Sequence, residues 1–79
     1  MQKLICDIPK NARETLRVEL SEFKGHNLVA LRLYVPASDG DGLKPTAKGI
    51  TFKVGLLPEI LEALAQAETE ARSAGLLKS

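Results

Sequence analysis

The chain has 79 residues, of which 44% are hydrophobic and 27% are charged, and its formal net charge is +1. This length allows one domain with a thin core, so a second copy or a ligand is expected to add stability. The single cysteine, Cys6, excludes an intramolecular disulfide and is typical of a reducing cytoplasm. The first residues contain no long apolar run, which predicts neither a signal peptide nor a membrane span.

Charge is unevenly distributed along the chain. Residues 9–54 hold eight basic and five acidic side chains, a net charge of +3, whereas residues 55–75 hold one basic and four acidic side chains, a net charge of −3. Because the local field governs where a phosphate docks, the first segment is the candidate anion-binding part.

The amino-terminal third predicts an arm followed by one strand. In residues 1–13, Pro9 and Asn11 discourage regular structure, so this segment is predicted to be an extended arm. Residues 15–21 alternate between apolar and polar side chains, which indicates a half-buried strand. Phe23-Lys24-Gly25 predicts a turn in which Gly25 takes a positive φ.

Three further strands are predicted next. Residues 27–35 form a longer strand with Arg32 and Tyr34 on its more polar face. Residues 36–42 are rich in Gly, Ser and Asp and predict a loop. Residues 43–47 and 48–54 predict the third and fourth strands, the third at an edge because it contains proline.

A helix is predicted at the carboxyl end. Pro58 suits its first turn, and Gly75 suits the position just after its end. The fold class is α+β, a curved four-stranded antiparallel sheet followed by one helix that covers one sheet face. The apolar stripe of the helix is wider than that task needs, which predicts a homodimer through the helix. The domain is expected to span residues 14–75, with a tail at 76–79.

Basic and aromatic side chains recur between Phe23 and Ile50. Cations that follow phosphates and rings that stack on unpaired bases are what single-stranded nucleic acid binding requires. Arg32 needs an anion, either a phosphate or Glu19 across the sheet. Lys24, Lys44 and Lys48 are expected to converge on neighbouring turns.

Three motifs in order point to a family. Phe23-Lys24-Gly25, Arg32-x-Tyr34 and Lys44-Pro45-x-x-Lys48-Gly49-Ile50, followed by a helix, resemble the transcriptional coactivator p15 (positive cofactor 4, PC4) family and its compact bacterial members. The resemblance implies a homodimer that holds single-stranded DNA with little sequence preference. It implies base stacking by Phe23 and a phosphate contact by Lys24. It also matches Arg32 to a basic residue in the middle of the second strand, and Lys44 and Lys48 to the pair that flanks the third turn.

The candidate nucleic-acid-binding residues share a basic, aromatic or turn-forming character. They are Arg13, Arg17, Phe23, Lys24, Gly25, His26, Arg32, Tyr34, Lys44 and Lys48. The expected role is in transcription regulation or in DNA replication and repair, in a cytoplasmic, nucleoid-associated bacterial protein. Two alternatives remain open: an adaptor that contacts the transcription machinery, and an RNA-binding protein.

Enzymatic chemistry is not expected. The sequence shows no nucleophile–base pair, no paired acids and no phosphate-binding glycine loop. His26 and Cys6 cannot make a zinc site alone, and Asp39 and Asp41 lack the spacing of a calcium loop. No cofactor and no metal are therefore predicted.

Overall fold

The computed structural model describes residues 2–78, which form one antiparallel sheet and one helix. The strands are β1 (Gln2–Pro9), β2 (Thr15–Phe23), β3 (His26–Pro36) and β4 (Leu43–Lys53). A 3₁₀ turn (Val54–Leu56) leads into helix α1 (Leu57–Ser73). Each strand pairs with the next in sequence, in the order β1-β2-β3-β4. The predicted class, four antiparallel strands followed by a helix, is confirmed.

The amino-terminal segment differs from the prediction. Gln2–Pro9 is not an arm but an edge strand hydrogen-bonded to β2. The pairing register jumps between Leu4 and Cys6, so that Ile5 is an extra residue in the strand. This bulge breaks the alternation by which a strand is found in a sequence. Pro9 lies at the strand end, where it costs little.

The segments predicted as the third and fourth strands are one strand, β4. Arg32 pairs with Gly49 and Tyr34 pairs with Pro45, so β4 has two extra residues at this point. The hydroxyl of Thr46 donates to the Leu33 carbonyl at 2.9 Å, and the backbone N–H of Lys48 donates to Thr46 Oγ1 at 3.1 Å. The first bond holds the bulge against β3, and the second fixes the bulge within β4.

A two-residue turn joins β2 to β3. Lys24 and Gly25 have φ values of 51° and 81°, and Phe23 pairs with His26 across the turn. Positive φ at both central residues matches the right-handed twist of a hairpin. The predicted turn and the positive φ of Gly25 are confirmed.

The strand register divides the side chains between two faces. The apolar face comprises Ile8, Leu16, Val18, Leu20, Val29, Leu31, Leu33, Val35, Ile50 and Phe52. The polar face comprises Asp7, Arg17, Glu19, Phe23, His26, Arg32, Tyr34, Gly49, Thr51 and Lys53.

The prediction that α1 covers its own sheet is wrong. The helix packs against the 3₁₀ turn and not broadly against any strand. Among the described residues only Val29 is buried, with 3% of its surface exposed, whereas Leu61 and Leu64 of the helix are each 58% exposed. The apolar face and the apolar stripe of the helix are therefore both open within one chain.

Both ends of helix α1 have the residues that the sequence predicts for them. Pro58 lies in the first turn, as predicted. At the other end, the N–H of Gly75 donates to the Arg72 carbonyl and that of Leu76 to the Ala71 carbonyl, with Gly75 at φ 75°. This pair of bonds is a Schellman motif, which confirms the predicted role of Gly75.

Gly49→Ala is expected to lower the free energy of unfolding by about 1–3 kcal/mol, the usual cost of overpacking. A Cβ at Gly49 would lie 2.5 Å from the Leu31 carbonyl oxygen and 2.7 Å from Arg32 Cα, both backbone atoms. Urea denaturation measures the change. Gly55→Ala is the control, since nothing lies within 4 Å of its Cβ position. Equal stability of the two variants would contradict the close approach of β4 to β3.

Candidate nucleic-acid interface

The β2–β3 hairpin presents an aromatic ring and a cation at its tip. Phe23 is 62% exposed, although it ends a strand. The Nζ atom of Lys24 lies 5.4 Å from the centre of the Phe23 ring, and His26 pairs with Phe23 across the turn. A ring in this position has a face available for stacking beside a positive charge.

Arg32 lies in the middle of the polar face and is held by β4. One guanidinium nitrogen donates to the Thr46 carbonyl at 3.0 Å, and another makes a long contact of 3.5 Å to Thr51 Oγ1. Both acceptors are neutral, and Arg32 forms no ion pair within residues 2–78. The alternative partner, Glu19, instead accepts a hydrogen bond from the Tyr34 hydroxyl at 3.0 Å.

Arg17 is engaged by neighbours on both sides. Its Nε and Nη2 atoms donate to the two carboxylate oxygens of Asp7 at 2.8 and 3.0 Å, and its guanidinium lies 4.3 Å above the Tyr34 ring. The bond from Arg17 lowers the pKa of Asp7, and the bond to Asp7 raises that of Arg17. Burial, followed by the bond to Glu19, raises the pKa of Tyr34. One face of the Tyr34 ring is thus covered.

Two further candidates lie in the connecting segments. Arg13 is exposed in the β1–β2 loop, where its backbone N–H donates to Asn11 Oδ1 at 2.9 Å. Lys48 is exposed in the β4 bulge. Hydrogen bonds from Asn11 and Lys10 lower the pKa of Glu14, and the charge of Lys48 adds to this effect, so the loop and the bulge are close together.

The expected convergence of the lysines on neighbouring turns is wrong. Gly49, next to Lys48, pairs with Arg32, six residues along β3 from His26, the first residue after the hairpin turn. At about 3.3 Å per residue, Lys48 and Lys24 are separated by roughly 20 Å along the sheet. Lys44 pairs with Val35, which assigns it to the other face from Arg32. The basic side chains form an elongated series rather than one cluster.

Two polar-face residues were missed among the sequence candidates. Lys53 pairs with Leu28 near the hairpin and forms no ion pair in the described part of the chain. Its place in the alternation of the last strand was the available signal. Asp7 was missed because its segment was not recognised as a strand.

The described residues contain no group of three potential metal ligands and enclose no pocket. Within the same range, α1 is neither long nor apolar enough to cross a membrane. The candidate site is thus an open sheet surface, as an extended ligand requires, rather than a cleft for a small molecule.

Residues 10–63 match the sequence model of the family Transcriptional Coactivator p15 (PC4), more than half of the chain. The chain belongs to the PC4 family. The matched segment runs from the β1–β2 loop through the sheet into α1. A comparison with curated proteins found no match.

Solved structures agree with the PC4 assignment. A PC4 homologue from Burkholderia pseudomallei is similar to this chain with a TM-score of 0.74 and 32% identity, over 86% of this chain and 98% of that one. A PC4 homologue from bacteriophage T5, implicated in recombination-dependent DNA replication, has a TM-score of 0.64 and 23% identity, over 95% of this chain and 83% of its own. MoSub1, solved in complex with DNA, has a TM-score of 0.65 and 24% identity, over 94% and 90%. The last two share the fold.

The chain has one tyrosine and no tryptophan, so phenol absorbance reports Tyr34 alone. We expect Tyr34 to titrate above its ordinary pKa of about 10, because burial and the Glu19 carboxylate favour its neutral form. Glu19→Gln is expected to bring this pKa down, whereas Glu59→Gln in the helix should leave it unchanged. A Tyr34 titration that is unchanged in Glu19→Gln would contradict the hydrogen bond to Glu19.

Proposed function

We propose that this PC4-family protein is a homodimer that binds single-stranded DNA on the polar face with little sequence preference. The observation that supports this most is the exposed Phe23 ring beside Lys24, on the same face as Arg32 and Lys53. The ring would stack on a base, and the cations would contact successive phosphates. Gly25 and His26 shape the hairpin, while Arg13 and Lys48 would extend the basic surface.

The relatives support this role. MoSub1 has been solved with DNA, and the phage T5 homologue is implicated in DNA replication. We infer a role in transcription, replication or repair, in which the protein holds unpaired strands on the nucleoid in the cytoplasm. The binding energy would come from the phosphate backbone and from stacked bases, neither of which requires a particular sequence.

The total exposed area of the chain supports a homodimer. The chain exposes 6137 Å², whereas a compact monomer of its mass exposes about 4,700 Å². The excess is roughly 1,400 Å² for each chain, or about 2,900 Å² for two, which lies in the range of obligate homodimers. A second copy would cover both the apolar face and the stripe of α1.

The homodimer is tested by sedimentation equilibrium. We expect the mass of two chains at micromolar concentration, and Leu64→Glu is expected to shift the protein towards monomer, because it adds a charge to the apolar stripe. Gln66→Glu adds the same charge to the opposite side of the helix and should leave the dimer intact. A folded wild-type monomer at this concentration would refute the dimer.

DNA binding is tested by fluorescence anisotropy with a labelled oligo-dT. Affinity is expected to fall steeply with salt, by about 0.7 in log K per log unit of salt for each phosphate neutralised. Arg32→Gln should flatten this slope by about 0.7, while Arg72→Gln in the helix should not alter it. Phe23→Ala should cost about 1–3 kcal/mol of binding free energy with any base sequence.

A competition binding experiment distinguishes single-stranded DNA binding from RNA binding and from an adaptor role. Duplex DNA and RNA of the same length are titrated against bound oligo-dT at two salt concentrations. Single-stranded DNA is expected to compete best. Stronger competition by RNA would assign the surface to RNA, and absence of binding to any of the three would favour an adaptor for the transcription machinery.

A further inference from the structure

Three charged side chains lie in one row across the polar face. Asp7 of β1 is opposite Arg17 of β2, and Arg17 is opposite Arg32 of β3. Residues directly opposite in antiparallel strands have Cβ atoms about 4.5–5.5 Å apart, and like charges in such pairs repel. The Cβ atoms of the two arginines are therefore adjacent, while the Arg17 guanidinium is directed to Asp7 of β1 and the Arg32 guanidinium to β4. An anion placed between the two charges would be stabilised.

Asp7 supplies an anion to Arg17 alone. It accepts two hydrogen bonds from that guanidinium, at 2.8 and 3.0 Å. Arg32 is bonded to the neutral oxygens of Thr46 and Thr51 and keeps its charge without an ion pair within residues 2–78. Its partner on β4 is Gly49, so no side chain on that strand continues the row. The surface beside Arg32 is consequently open to a ligand.

We propose that Arg17 and Arg32 form a two-arginine site for one phosphate of single-stranded DNA, and that Asp7 limits affinity by competing with this phosphate for Arg17. The proposal rests on the proposed function of the polar face. A guanidinium presents its N–H groups as a planar fork that suits phosphate oxygens as well as a carboxylate. A phosphate that displaces Asp7 would contact both arginines, whereas with Asp7 in place it contacts Arg32 only.

One contact of the Arg17 guanidinium does not depend on Asp7. Its guanidinium is held over the Tyr34 ring at 4.3 Å, and Tyr34 is fixed by Glu19. Loss of the Asp7 contact would leave this stacking in place. The Asp7 carboxylate remains charged near neutral pH, since the Arg17 bond lowers its pKa. The competition therefore operates under ordinary conditions.

Asp7→Asn tests the proposal, because it removes the charge and keeps the shape of the side chain. Binding of oligo-dT is expected to tighten by about two- to five-fold, the size typical of an exposed ion pair. The salt slope should stay nearly unchanged, because the phosphate that Arg17 then contacts is the one that Arg32 already neutralises. Urea denaturation and the Tyr34 titration confirm that the variant keeps its fold.

Two controls separate this effect from a general loss of negative charge. Asp41→Asn removes the same charge in the β3–β4 loop and should leave affinity nearly unchanged. In an Arg17→Gln background, Asp7→Asn should produce no gain, because the competing partner is absent. Equal gains from both Asp→Asn variants, or a gain that persists without Arg17, would overturn the proposal.

The single variants decide the question if Asp7→Asn does not fold. Arg17→Gln should change the salt slope of the wild-type protein much less than Arg32→Gln. Equal flattening by the two would show that Arg17 already contacts phosphate, which overturns the role of Asp7. Unaltered or weaker binding by a folded Asp7→Asn also overturns it while the proposed function stands. A wild-type protein that binds no oligo-dT would refute both the role of Asp7 and the proposed function.

Discussion

The apolar face of the sheet is not covered by any other described part of its own chain, and the rest of the structure depends on this constraint. Helix α1 turns away after the 3₁₀ turn, and among the described residues Val29 alone is buried. Ile50 on the sheet stays 58% exposed. A single chain of this kind lacks the core that a small domain needs, which supports the proposed association of two copies. No described element crosses the polar face, which stays free for a ligand.

On one part of the polar face the side chains are bonded to one another, and on the other part they are available to a ligand. Asp7, Arg17, Tyr34 and Glu19 bond to one another and fix their side chains. Nearer the hairpin, the Phe23 ring lies beside Lys24, and Lys53 forms no ion pair within residues 2–78. Arg32 lies at the boundary and is oriented by the Thr46 carbonyl from the β4 bulge. The irregularity of β4 therefore positions the arginine on which phosphate binding is proposed to depend.

Local sequence patterns predicted the turn and the ends of the helix. The features that were missed depend on contacts between segments that are distant in sequence. The Lys24-Gly25 turn, Pro58 and Gly75 have signals within a few residues, and each was predicted correctly. The β1 strand was missed because the Ile5 bulge breaks its alternation. The packing of α1 could not be predicted, since an apolar stripe is the same whether it meets its own sheet or a second copy. The Asp7–Arg17 pair depends on the β1–β2 register, which the missed strand concealed.

The central claim is that the polar face, and not the apolar face, contacts single-stranded DNA. The chain has two phenylalanines, and the register assigns Phe23 to the polar face and Phe52 to the apolar face. Fluorine NMR of protein labelled with fluorophenylalanine therefore gives one signal for each face, assigned by Phe23→Leu and Phe52→Leu. Saturating oligo-dT is predicted to shift the Phe23 signal and to leave the Phe52 signal in place. A shift of Phe52 with no change at Phe23 would contradict the account.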